Sequence, residues 1–87
     1  IRLARRDSCS IALHAAAGES YDYLVQLGAR ICQAHGGRPH WGKMHPLAAP
    51  ALAPLYPRWR DFLALRQAFD PQGRMLNAHL RSLFGVA

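Results

Sequence analysis

The residues best suited to chemistry lie close together over residues 36–45, which run Gly-Gly-Arg-Pro-His-Trp-Gly-Lys-Met-His. Histidine exchanges a proton near neutral pH, whereas lysine supplies a compact positive charge. Because glycines and a proline set the course of the backbone, His40 and Lys43 can be presented at one point beside the flat indole of Trp41. Such a pair can transfer a proton and stabilise an anion that develops during a reaction. The alternative is a basic surface turn with Trp41 packed beneath it.

A second pattern of possible ligands overlaps this segment. Cys32, His35, His40 and His45 form a Cys-x2-His-x4-His-x4-His series, and thiolates and imidazoles are donors that zinc prefers. The spacing matches none of the usual paired-ligand patterns, so we expect no metal site. Together with Cys9 the chain has two cysteines, which are too few for a disulfide scaffold.

The elements that must position these residues are predicted from periodicity. Residues 8–14 alternate between two faces, which predicts a strand with His14 on the face opposite the apolar stripe. Ser20 can cap a following helix whose apolar stripe faces a core, and Gly36-Gly37 ends that helix by allowing a left-handed backbone. Gly28 within it marks either a close helix contact or simple tolerance of glycine. The stripe comprises Leu24, Leu27, Ile31 and Ala34.

Prolines recur along residues 38–55. We therefore predict this stretch to be an irregular ordered loop with at most single helical turns. The second half of this loop, rich in Ala, Pro and Leu, is expected to be a spacer. A helix then begins at Pro57 and ends before Pro71, and Asn77 caps a short last helix that stops before Gly85. The apolar positions of these two helices are Trp59, Phe62, Leu63, Leu65 and Phe69, and Leu80, Leu83 and Phe84.

The order of strand, helix, chemistry-bearing loop, helix and short helix predicts the α+β class. With 87 residues, the chain is at most one small domain or a piece of a larger one, and it has no apolar stretch long enough for a transmembrane segment. Since it starts without methionine and without the layout of a signal peptide, we expect a fragment.

The charge balance bears on the class of partner. Eleven Lys and Arg against five Asp and Glu give a net charge of +6. The cations are spread along the chain, with only Arg5 and Arg6 adjacent, which argues against nucleic-acid binding. An acidic substrate, an anionic partner or an acidic remainder of the same protein would account for the sign equally well.

Residues 36–43 resemble a known family signature. Gly-Gly-Arg-Pro-His-Trp-Gly-Lys is similar to the C-terminal motif of the aldonolactone oxidase branch of the vanillyl-alcohol-oxidase flavoproteins, a branch that includes gulonolactone oxidase, D-arabinono-1,4-lactone oxidase and alditol oxidase. Tyr-Pro-Arg-Trp at 56–59, Asp-Pro-Gln-Gly-Arg-Met-Leu-Asn at 70–77 and the segment at 11–14 are similar to its flanking motifs. The resemblance covers nearly the whole chain.

The resemblance implies oxidation of a CH–OH group of a sugar 1,4-lactone or polyol by hydride transfer to FAD, with oxygen or another final acceptor. It implies that His40 and Lys43 are catalytic, without deciding which of them holds the substrate hydroxyl and which orients it or takes its proton. It further implies that His14 and Lys43 bind substrate and that His40, Arg38 and Asn77 contact the cofactor. The alternatives are a structural His14, an exposed charge at Arg38 and a helix cap at Asn77.

Two hallmarks of the family are not found in this sequence, namely a glycine-rich pyrophosphate loop and a Glu-x-Arg substrate pair. We therefore expect a C-terminal fragment that is inactive alone. In it, residues 1–45 end a substrate-binding cap domain made of an antiparallel sheet with flanking helices, and residues 46–87 form a helical tail that packs on the FAD-binding domain. The expected partners are the substrate and the rest of the polypeptide, without nucleic acid, and the expected location is cytoplasmic or membrane-associated. The alternative function is a small basic module that binds anions or nucleic acid.

Overall fold

The computed structural model describes residues 2–3 and 6–87. Its first elements are two short antiparallel strands, β1 (Arg2–Leu3) and β2 (Arg6–Asp7). They form the only strand pair among these residues.

The strand predicted over residues 8–14 is not formed, and this prediction is wrong for the chain as described. Ile11 and Leu13 of its apolar face are 73% and 50% exposed. A strand exists only where a neighbour accepts and donates its backbone hydrogen bonds, and the alternation in sequence does not supply that neighbour. The antiparallel sheet of the predicted α+β class therefore stays a prediction.

The first helix combines a π-helical turn, Leu24–Gly28, with α1, Ala29–Ala34. Its end follows the prediction, since Gly36 has a left-handed φ of 65°. Gly36 N donates to the carbonyl of Gln33 (3.1 Å) and Gly37 N to that of Cys32 (2.7 Å), which satisfies the last carbonyls of the helix. Upstream, the Ser20 hydroxyl accepts a hydrogen bond of 3.4 Å from Asp22 N.

The apolar stripe of this helix is not covered by the described residues. Leu27 and Ile31 are 58% and 56% exposed, so the prediction that the stripe faces a core is wrong here. The buried residue is Gly28, where an added Cβ would lie 2.4 Å from Leu13 Cδ1. The interpretation of Gly28 as a close contact is thus confirmed, but the neighbour is the segment at 8–14 and not another helix.

The core lies in the second half of the chain. It is formed by α2 (Ala49–Leu52), a 3-10 turn (Ala53–Leu55), α3 (Trp59–Phe69) and α4 (Ala78–Phe84), with partly buried side chains around it. The single helical turns confirm the predicted form of the loop. The buried side chains of the core are Leu52, Trp59, Leu83 and Phe84, which are 0%, 8%, 1% and 7% exposed.

The prediction that the second half of that loop is a spacer is wrong. Pro50 and Pro54 each stand in the first turn of a short helix, where no backbone donor is needed. The two turns direct apolar side chains inward, and Leu52 is completely buried between them. A proline-rich, apolar stretch thus supplies the centre of the core.

The ends of α3 and α4 agree with the local signals. α3 stops at Phe69, before the non-helical Asp70 that precedes Pro71. Asn77 Oδ1 accepts a 2.9 Å hydrogen bond from Leu80 N at the start of α4, and Gly85 ends this helix. The start of α3 differs by two residues, because Pro57 lies in a preceding turn. Among the residues described, no helix has the length and apolar character needed to span a membrane.

Replacing Gly85 tests the contact between α2 and α4. Gly85 has φ of 66°, and an added Cβ would lie 2.8 Å from Ala49 Cβ, so Gly85→Ala combines backbone strain with a steric clash. We expect a loss of about 2 kcal/mol or more in the free energy of unfolding, measured by urea denaturation followed by tryptophan fluorescence. Gly36→Ala is the matched control, since its φ is 65° and no atom lies within 4 Å of the added Cβ. Equal losses in the two variants would contradict close packing at Gly85.

Candidate active site

The turn at residues 40–43 joins the backbones of the two predicted catalytic residues by a hydrogen bond. Lys43 N donates to the carbonyl of His40 (3.0 Å), and Gly42 N donates to His40 Nδ1 (3.1 Å). Both His40 and Lys43 are exposed. Because Nδ1 accepts a hydrogen bond, the neutral imidazole of His40 carries its proton on Nε2. The turn therefore offers two hydrogen-bond donors, an imidazole N–H and an ammonium group.

Trp41 anchors this turn in the core. Its ring makes edge-to-face contacts with four aromatic rings at centroid distances of 5.4 to 5.9 Å, and Trp41 Nε1 donates to the Tyr56 hydroxyl at 3.0 Å. Edge-to-face pairs contribute about 1 kcal/mol each beyond area burial, and the hydrogen bond satisfies the only polar group of the indole. The rings are those of Tyr56, Trp59, Phe62 and Phe84, and together with Trp41 we call them the aromatic cluster.

Arg38 lies at the edge of the aromatic cluster. Its guanidinium carbon is 4.8 Å from the centroid of the Tyr56 ring, which is cation–π geometry. The side chain is half-buried, and its Nε has no hydrogen-bond partner among the described residues. A buried guanidinium N–H without a partner is suited to an acceptor supplied from outside these residues.

Two further histidines lie behind the turn. His79 Nε2 is 3.2 Å from the carbonyl oxygen of Trp41, and the His45 and His79 rings are 6.3 Å apart. His45 Nδ1 accepts a 3.2 Å hydrogen bond from Leu47 N. Burial lowers the pKa of His45 below its usual 6.5 and the nearby His79 lowers it further, while hydrogen bonding to the backbone opposes the shift. His45 is thus held neutral behind the turn.

The remaining predicted site residues lie elsewhere. His14 is exposed, and its carbonyl accepts a 2.9 Å hydrogen bond from the Tyr23 hydroxyl. No hydrogen bond or ring contact of the described residues joins His14 to the turn. Asn77 is the N-cap of α4, so its Oδ1 is occupied and only its amide nitrogen is left for another ligand.

The possible metal ligands do not converge in the part of the chain that the structure describes. There, no three His, Cys, Asp or Glu side chains are grouped as a metal site, and Cys9 and Cys32 are free and exposed. Cys32 and His35 lie at the end of α1, whereas His40 and His45 flank the turn.

Tyr56, His45 and His79 are contacts of the turn that the sequence patterns did not assign. Tyr56 is 15 residues from Trp41 and His79 is 38 residues away, so no local spacing reveals them. The Tyr-Pro pair before α3 and the histidine series that includes His45 carried signals, but neither signal indicated a contact with the turn.

The neutral His45 gives the structure a pH dependence. Since its folded pKa lies below its unfolded value, the unfolded chain binds the proton more readily, and stability falls as pH drops below about 6.5. His45→Asn retains an acceptor for Leu47 N and removes the titration. We expect the melting temperature to fall less between about pH 7.5 and 5 in this variant than in the wild type, by differential scanning fluorimetry. The exposed His35→Asn is the control, and a slope unchanged in His45→Asn would contradict the assignment.

Comparison with known proteins assigns the chain to a family. A family model described as D-arabinono-1,4-lactone oxidase matches residues 2–83. An L-gulono-1,4-lactone dehydrogenase of Mycobacterium tuberculosis is 39% identical over 80 residues, which are 92% of this chain and 19% of the relative. An L-gulonolactone oxidase of Bos taurus is 35% identical over 85 residues, with the same shares covered. An alditol oxidase of a Streptomyces species is 50% identical over 46 residues, 53% of this chain and 11% of the relative.

The family match extends along the chain and includes the turn with His40 and Lys43. The chain spans about one fifth of the length of the first of these relatives. No solved structure gives a significant match. With the family match running from β1 into α4, the chain belongs to the D-arabinono-1,4-lactone oxidase family.

Proposed function

We propose that this chain is the C-terminal part of an FAD-dependent oxidoreductase that oxidises a CH–OH group of a sugar 1,4-lactone or a polyol. The observation that carries the proposal is the turn at 40–43, which carries the exposed residues His40 and Lys43 on one hydrogen-bonded backbone fixed by Trp41. The family match and the relatives named as gulonolactone and alditol oxidoreductases support the substrate class. The final electron acceptor is oxygen or another oxidant.

The proposed roles of the two side chains follow from their hydrogen-bonding state. In the reaction a hydride leaves the carbon and the hydroxyl proton passes to a water molecule at the exposed turn, so that a carbonyl group forms. The bound flavin supplies the acceptor for the hydride. Lys43 as a cation and His40 through Nε2–H are both donors, and they hold the oxygen on which negative charge develops. His40 thus orients the substrate oxygen and does not remove its proton while Nδ1 is bound to Gly42 N.

The described residues suit one edge of a flavin. His40 and Lys43 are exposed and would lie against the ring system and the substrate, whereas Arg38 has an unpartnered Nε that would meet an acid of the FAD-binding domain. The amide nitrogen of Asn77 is the atom left for a cofactor contact after capping α4. Because the sequence has no glycine-rich phosphate loop, the nucleotide part of FAD would bind to other parts of the full-length protein.

The exposed apolar side chains support packing against the rest of the polypeptide. On the first helix Leu27 and Ile31 are exposed, and on α3 Leu65 and Phe69 are 59% and 84% exposed. Apolar faces of this kind on a soluble protein mark surfaces that another part of the protein covers. In the proposal, residues 1–45 adjoin the substrate-binding cap domain and residues 46–87 adjoin the FAD-binding domain. The substrate is bound between them, with His14 contributed from the cap side.

Lys43→Met tests the proposed active site. In the full-length protein this variant keeps the length of the side chain and loses the charge, so we expect flavin to remain bound. We expect the anaerobic reduction of flavin by a sugar lactone or polyol to slow about 100-fold or more, measured by stopped-flow bleaching of the flavin band. The exposed Arg60→Met on α3 is the control for loss of a positive charge. Reduction at the wild-type rate in Lys43→Met would remove Lys43 from the active site.

A further inference from the structure

We infer that His79 is a positioning residue of the active-site turn and acts by fixing the peptide group between Trp41 and Gly42. His79 lies on α4, 38 residues from Trp41, and its Nε2 is 3.2 Å from the carbonyl oxygen of Trp41. A carbonyl oxygen only accepts hydrogen bonds, so this nitrogen of His79 is the donor. The inference rests on the proposed function, because it assigns His79 a role in orienting His40.

The peptide group between Trp41 and Gly42 is held at both ends. Its carbonyl oxygen meets His79 Nε2, and its N–H donates to His40 Nδ1 at 3.1 Å. Because a peptide group is planar, its oxygen and its N–H turn together. A flip of this group would therefore break both hydrogen bonds at once. His79 and His40 are thus connected through one rigid unit of four backbone atoms.

A flip at this position would be easy without such a restraint. The second residue of the peptide is a glycine, which accepts the positive φ that a flip generates at little steric cost. The indole of Trp41 is fixed by the aromatic cluster, but this packing restrains the side chain and leaves the carbonyl free to rotate. His79 is the group that restrains the carbonyl.

α4 is a rigid support for this contact. Leu83 and Phe84 of the same helix are buried in the core. Asn77 caps the first turn of the helix, because its Oδ1 accepts a 2.9 Å hydrogen bond from Leu80 N. His79 is therefore delivered from an element that is held by the core and by its own capped first turn. His45 lies behind it, with ring centroids 6.3 Å apart.

The consequence for chemistry lies in the tautomer of His40. While Gly42 N donates to Nδ1, neutral His40 carries its proton on Nε2 and offers it to the substrate oxygen. After a flip, Nδ1 would lose its donor and the ring could take either tautomer and rotate. His79 thus keeps His40 in its donating form, which is the form required by the proposed role.

Replacement of His79 by residues that differ in donor capacity tests this inference in the full-length, flavin-loaded protein. His79→Gln retains an N–H donor, whereas His79→Leu and His79→Glu do not. Glutamate in the first turn of α4 interacts favourably with the helix dipole. His79→Glu therefore removes the donor without destabilising the helix and serves as a control for unfolding. We expect the rate of anaerobic flavin reduction at saturating substrate to fall about tenfold in His79→Leu and His79→Glu, the effect of one hydrogen bond. His79→Gln should stay within about twofold of wild type.

The same substitutions in a His40→Ala background separate positioning from a general structural effect. If His79 acts through His40, His79→Leu has no further effect on the rate once His40 is removed. His35→Leu is the matched control, since His35 is exposed at the end of α1. An equal loss in His79→Gln and His79→Leu, or an undiminished effect of His79→Leu in the His40→Ala background, would overturn the inference. No loss in either His79→Leu or His79→Glu would also overturn it.

Failure of the proposed function gives a different result. If neither sugar lactones nor polyols reduce the flavin of the wild type, the proposed function is wrong. If they do and Lys43→Met reduces at the wild-type rate, only the role of Lys43 is wrong. A strong effect of Lys43→Met combined with wild-type rates in His79→Leu overturns only the role of His79.

Discussion

The structure depends on the insertion of Trp41 into the aromatic cluster. This side chain comes from a loop of glycines and prolines that has no regular secondary structure of its own, and it contacts rings from α3, α4 and the segment between α2 and α3. The edge-to-face geometry and the hydrogen bond to Tyr56 fix both the plane and the direction of the indole. Since His40 and Lys43 are one and two residues away, their backbone positions are fixed by the same packing. A half-buried aromatic residue thus sets the backbone geometry of exposed, polar neighbours.

The polar contacts around the turn fix the orientation of its peptide groups, which the aromatic packing does not determine. Aromatic packing is insensitive to rotation of a backbone carbonyl, whereas hydrogen bonds to Trp41 O and Gly42 N are directional. Residues 36–45 contain no carboxylate, so the donors of the turn are not neutralised by an acid in the same segment. An arrangement of fixed donors without a local counter-charge is suited to stabilising charge that appears on an oxygen only during a reaction.

The features that sequence predicted well are those determined within a few residues. The end of the first helix at Gly36, the end of α3 before Pro71 and the cap at Asn77 follow from backbone freedom and local side-chain hydrogen bonds. The motif at 36–43 likewise indicated which side chains share a turn. The predicted strand at 8–14 failed because pairing depends on a distant neighbour, and the central role of Leu52 was missed because composition does not reveal what a segment packs against. The link from His79 to Trp41 spans 38 residues and has no local signature.

The active-site turn lies at the junction of two unlike parts of the chain. After residue 40 the chain has a buried core, whereas the helix before it leaves Leu27 and Ile31 exposed and makes a close contact at Gly28. The chain also spans only about one fifth of the length of its first relatives. Charge stabilisation by donors is strongest where water is excluded, yet His40 and Lys43 are exposed here. The second half of the chain therefore fixes the positions of the donors, while the proposed function requires low-dielectric surroundings that the described residues do not supply.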